Sequence, residues 1–138
     1  MSEYQPSRVA IYAMALLGLL NLGRGSIHLF APHGGLTDIA GIDLSQGGET
    51  ILFFIGAVGV GQITLGLLDL FVAFRHRAMV LPLLLIHLVG MVLAVFLFYV
   101  QRPLPVTPPG QYGAVASLVI FGIIAIRELL LRNRREQD

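Results

Sequence analysis

The chain contains no cysteine and no lysine, and only 12% of its 138 residues are charged. Without cysteine there is no disulfide framework, thiolate metal site, cysteine nucleophile or dithiol redox centre. Because all nine basic residues are arginine, Schiff-base and lysine-nucleophile chemistry is excluded as well. Charge is the third scarcity: soluble proteins carry roughly 25% charged residues. Nine basic and eight acidic side chains cannot clothe the exterior of a soluble domain of this length. A net charge of +1 gives no basic field for nucleic acid, and the arginines sit at the ends of apolar stretches rather than on one patch.

Hydrophobic residues make up 56% of the chain. They fall into four segments at about 8–30, 51–74, 79–100 and 112–131, each near the ~20 helical residues that cross a ~30 Å hydrocarbon core. The third is the purest, with His87 its one residue able to take up positive charge. The first carries Asn21, Arg24 and His28 in its last two turns, and it lacks the basic run and cleavage site of a removed signal peptide. Residues 1–138 therefore read as a single all-α domain, a four-helix transmembrane bundle. No internal repeat supports an inverted-repeat transporter.

Arg75, His76 and Arg77 lie between the second and third segments, and Arg132, Arg134 and Arg135 follow the fourth. By the positive-inside rule these face the cytoplasm, so both termini are expected there. Residues 31–50 then form an outer loop of turns, with one short interfacial helix near Thr37 to Ala40. The second outer connection holds Pro103, Pro105, Pro108 and Pro109 and is expected to be a stiff, non-helical lid.

Within the second segment Gly59, Gln62, Gly66 and Asp69 recur at spacings of three, four and three, which places them on one helix face. Close helix packing is the expected use of that face, with a substrate path as the functional alternative. Gly56 and Gly61 make other faces of the same helix small and suit an oligomer contact. A charge in hydrocarbon costs about 3 kcal/mol unless it finds a partner. Asp69 is therefore expected to pair with Arg127 across the second and fourth segments. A proton relay would need a second titratable group near Asp69, and His87 is the intramembrane candidate. A paired-histidine haem is not expected, because His28 and His87 lie toward opposite sides of the membrane.

Asn21, Arg24 and His28 form a polar stripe at the outer end of the first segment. Its expected role is anchoring, with Arg24 paired to Glu49 at the start of the second helix and His28 pinning the loop. The sharper alternative joins His28, His33, Asp38, Asp43 and Glu49 in a metal or acid/base constellation. Five residues and a proline separate His28 from His33, which does not place two ligands together on a helix. No HExxH, GxSxG, nucleotide-binding glycine loop or paired-aspartate motif occurs, so the first expectation is not an enzyme.

The stretch GLTDIAGIDLS, with the preceding GRGSIHLFAP and the following span, resembles small uncharacterised bacterial four-span membrane proteins, and the overall plan is similar to DoxX-like four-helix proteins. The resemblance implies a four-helix membrane fold and carries over no catalytic residue. The first functional expectation is a small membrane binding or accessory protein, self-associated or joined to another membrane protein. It would be in contact with lipid or another hydrophobic ligand. The alternatives are a small transporter or channel with a path along Gln62, Asp69 and His87, and a metal-dependent enzyme at the outer face.

Overall fold

The computed structural model describes residues 5–104 and 107–137, without the side chains of residues 135 and 136. Four helices follow one another: α1 (Arg8–Phe30), α2 (Gly48–Arg75), α3 (Val80–Phe96) and α4 (Pro109–Gln137). No strand occurs among the described residues. Each helix, α3 together with its flanking turns, is long and apolar enough to cross a bilayer. The chain is thus a four-helix transmembrane bundle. Four crossings leave both termini and the α2–α3 turn at one end, and the two longer connections at the other.

The helix boundaries follow from local chemistry. Ser7 caps α1, its hydroxyl accepting from the Ala10 N–H at 3.3 Å. Glu49 lies in the first turn of α2, where a carboxylate suits the positive end of the helix dipole. A tight 3-10 turn, Arg77–Met79, leads into α3, whose Pro82 falls in the first turn where no N–H is needed. α3 ends in a π turn, Leu97–Gln101. Pro109 belongs to α4 rather than to the connection before it, because its fixed φ suits the first helical position. Pro103 and Pro108 lie in non-helical backbone, while Pro105 of the expected lid lies outside the described residues.

α1 and α2 pack closest, at two pairs of glycines. Gly18 and Gly25 are seven apart, as are Gly59 and Gly66, so each pair returns to nearly the same helix face. A Cβ on Gly18 would stand 2.9 Å from the Gly66 carbonyl oxygen, and one on Gly25 would stand 2.7 Å from that of Gly59. The backbones are in contact, an arrangement open only to residues without a side chain. α3 packs chiefly along α4, and the two helix pairs meet more sparingly. Where they meet, Met14, Leu17, Ala73, Leu84, Phe121 and Ala125 form a buried core. This core occupies the half of the bundle nearest the termini. Apolar side chains such as Phe53, Phe71, Ile86 and Ile123 are exposed on the outside, as a lipid-facing surface requires.

The loop between α1 and α2 is a series of turns, without the short helix expected at Thr37 to Ala40. The backbone at Gly41 (φ 67) ends a single helical turn: its N–H reaches Thr37 O at 3.1 Å, and the Ile42 N–H reaches Leu36 O at 2.9 Å. The first of these is the single 5→1 bond of an αL helix stop, with glycine at the left-handed position. Gly34 packs the loop back on α2, since a Cβ there would lie 2.8 Å from Ile55 Cγ2.

Candidate functional site

Asp69, on α2, is fully buried. His87 Nε2, from α3, lies 2.6 Å from its Oδ1, and Asn21 Nδ2, from α1, donates to its Oδ2 at 3.0 Å. One carboxylate thus holds together three helices. The arrangement follows from the packing: the Gly18–Gly66 approach sets Asp69 against α1, its Cβ 3.0 Å from where a Cβ on Gly18 would stand. Because helical side chains lean toward their own N-terminus, Asn21 and Asp69 reach toward one another across this antiparallel pair. The α2–α3 turn is short enough that His87 comes back to the same depth. Asp69 stands six residues before Arg75, the end of α2, or ~9 Å along the helix axis at 1.5 Å per residue.

The expected Asp69–Arg127 pair does not form. Arg127 Nη1 instead donates to Glu128 Oε1 and to Ser7 Oγ, each at 3.1 Å. The reason is neighbourhood, since α2 packs along α1 and α4 along α3. Glu128 is 1% exposed and accepts from the Ser7 N–H at 3.0 Å and from the Ser7 hydroxyl. The sequence reading gave Glu128 no role of its own. The available signal was an acidic residue inside an otherwise apolar segment.

Arg24 and Glu49 also form no ion pair among the described residues, and both are exposed. Gly25, not Arg24, occupies the face of α1 that meets α2. One residue is about 100° of helical rotation, which turns Arg24 toward α4. Its Nη2 lies 3.7 Å from where a Cβ on Gly110 would stand. His28 does pin the loop: its Nδ1 is 2.8 Å from the Gly34 carbonyl oxygen, and since a carbonyl only accepts, Nδ1 carries the proton.

Gln62 lies two turns from Asp69 toward the loop end, and its Oε1 is buried with no hydrogen-bond partner among the described residues. The Nε2 of Gln111, near the start of α4, is in the same state. Sequence reasoning singled out Gln62 and missed Gln111, which sits in a glycine- and proline-rich stretch that reads as connection.

The outer-loop candidates do not assemble. His33 and Asp38 are exposed, and among the described residues Asp38 accepts only from the adjacent Thr37 hydroxyl, at 3.2 Å. Asp43 accepts from the Ser45 N–H at 2.9 Å and the Ser45 hydroxyl at 2.8 Å. Those two bonds, the backbone one foremost, hold its carboxyl below the ordinary carboxylate range. Among the described residues no three His, Asp or Glu side chains converge to hold a metal ion. Comparison of the chain with protein-family models, curated proteins and solved structures finds no match.

Proposed function

We propose that this small integral membrane protein moves protons, alone or coupled to a solute, across a bacterial inner membrane, with its termini cytoplasmic. One observation carries the reading: Asp69 and His87, titratable groups on different helices within the membrane, are hydrogen-bonded at 2.6 Å. An intramembrane ionisable residue marks an ion or proton path more often than not.

The chemistry follows from the donors and acceptors. With Asp69 ionised, its carboxylate only accepts, so Nε2 of His87 carries a proton and the Asn21 amide donates to the other oxygen. Nδ1 of His87 is then the atom that gains or loses a proton. Uptake there converts a pair of net charge −1 into an ion pair of net charge zero, while both hydrogen bonds to Asp69 persist. Gln62 Oε1, two turns nearer the loop end and without a partner among the described residues, is an acceptor for a water on that route.

The test is flux in proteoliposomes carrying an internal pH-sensitive dye, driven by a potassium diffusion potential. Proton entry should exceed that of protein-free liposomes and fall at least tenfold, or about 1.4 kcal/mol, in His87→Ala and Asp69→Asn. Gln46→Ala, an exposed loop change, should leave it intact. Flux no greater than that of empty vesicles would remove the reading.

A second reading, a binding or accessory component, draws on the outward side of α2. Ala57, Gly61 and Thr64 are exposed on one helix face, and a Cβ on Gly61 would meet nothing within 4 Å, so another transmembrane helix could approach closely there. In-membrane crosslinking to a second helix that Gly61→Leu abolishes would favour this reading, whether the neighbour is a second copy or another membrane protein.

A further inference from the structure

At the end of the bundle that carries the termini, the α2–α3 turn places Arg75, His76 and Arg77 side by side. His76 breaks the helix with φ −127 and ψ 56, and the 3-10 turn that follows is held by the Met79 N–H on His76 O at 2.9 Å. These three residues line a cavity of about 390 Å³ together with Pro6, Phe74 and Met79. Arg75 and Arg77 are exposed and form no ion pair among the described residues.

A second cavity of about 360 Å³ shares His76 and Met79 with the first and descends between α2 and α3 past Phe71, Leu83, Leu68 and Ile86. Its walls are apolar apart from the shared histidine. The ring of His76 lies against that of Phe71, centroids 4.8 Å apart, where the cationic head of the site passes into its apolar body. Leu68 is eight residues from His76, or ~12 Å along the helix, which approaches the ~15 Å depth of one leaflet's hydrocarbon.

We infer that this composite groove binds one anionic phospholipid, its phosphate between Arg75 and Arg77 and an acyl chain along Phe71, Leu83 and Ile86. Guanidinium groups bind phosphate oxygens in a bidentate manner. The two guanidinium groups also repel the ammonium of a zwitterionic headgroup. The apolar arm adds nothing for a free phosphate ion, so the site as a whole fits a lipid. An attraction of about 1 kcal/mol per basic residue near an anionic headgroup gives roughly a 25-fold preference from two arginines.

The test is native mass spectrometry of the full chain, equilibrated in detergent with equal phosphatidylglycerol and phosphatidylcholine. One phosphatidylglycerol should be retained, preferred at least tenfold. Arg75→Gln with Arg77→Gln, both exposed and safe for folding, should make the two lipids equal, and Leu83→Trp should lower retention of both by filling the groove. Inorganic phosphate at ten times the lipid concentration should displace nothing. Equal retention of the two lipids by the unaltered chain, or a preference that survives the double arginine change, overturns the site. Displacement of the lipid by inorganic phosphate reduces it to a bare anion site and overturns the lipid assignment. This readout is independent of proton flux.

Discussion

The Glu128 carboxylate on α4 accepts from both the backbone N–H and the hydroxyl of Ser7, the residue that caps α1. The first and last helices are thereby joined at the end of the bundle where the chain begins. Ser7→Ala removes the cap, worth about 1 kcal/mol, and one bond to a buried carboxylate. A loss of about 2–3 kcal/mol is expected for the two effects together. Thermal unfolding in detergent measures it, with Ser7→Thr expected to restore most of the loss.

The glycine pairs between α1 and α2 predict a sharp contrast between neighbouring positions on one helix. Gly66→Ala would bring a methyl to 2.7 Å from the Gly18 carbonyl oxygen, and Gly59→Ala would do so at 2.8 Å from Gly25. Either should cost about 1–3 kcal/mol through backbone displacement. Gly56→Ala and Gly61→Ala meet open space and should leave stability unchanged or slightly raised, since alanine favours the helix by roughly 1 kcal/mol over glycine. Equal unfolding of all four variants would refute the close crossing.

At Asp69, removal of one donor should be felt through the other. Asn21→Ala leaves Oδ2 of a buried carboxylate without its donor, at a cost of about 1–3 kcal/mol. Asn21→Ala and His87→Ala combined should depart from the sum of the two single changes, because both act on one carboxylate. Strict additivity in equilibrium unfolding would show that the three side chains do not work as a unit.

The outer loop makes a pH prediction of its own. Asp43 has a folded-state pKa lowered by its bonds to Ser45, so these bonds favour the folded loop above the ordinary carboxylate range. That support disappears as pH falls through the lowered value. Carbon-detected NMR of the Asp43 carboxyl should give a midpoint below that of a free aspartate, and Ser45→Ala should move it upward. A midpoint that does not respond to Ser45→Ala would refute the assignment.

Much of this architecture was legible because a bilayer imposes simple demands. Runs near 20 residues of apolar sequence have to be helices, and α1 begins and ends where hydropathy placed it, at Arg8 and Phe30. The spacing of Gly59, Gln62, Gly66 and Asp69 correctly marked a face that meets protein. Which protein it meets is a matter of helix neighbourhood, and that was not legible. Both expected arginine pairs failed for this reason: charge complementarity and depth carry no sign that α2 lies against α1 and that Gly25 excludes Arg24 from their contact. His87 was singled out as the group a relay would need, but its bond to Asp69 depends on the short α2–α3 turn matching two depths. Glu128 escaped because its partner is the N-terminal cap of the most distant helix in sequence.

The heptad glycine crossing also bears on how the chain is made. Asn21 and Asp69 both belong to the first two helices, and membrane proteins are synthesised from the N-terminus. The α1–α2 hairpin can therefore close and present Asn21 to the carboxylate before His87, 18 residues further on, has left the ribosome. The costliest side chain of the second helix then never faces lipid alone. Insertion assays on ribosome-bound chains should find α2 fully membrane-spanning at that stage, and Gly18→Leu or Asn21→Leu should delay it.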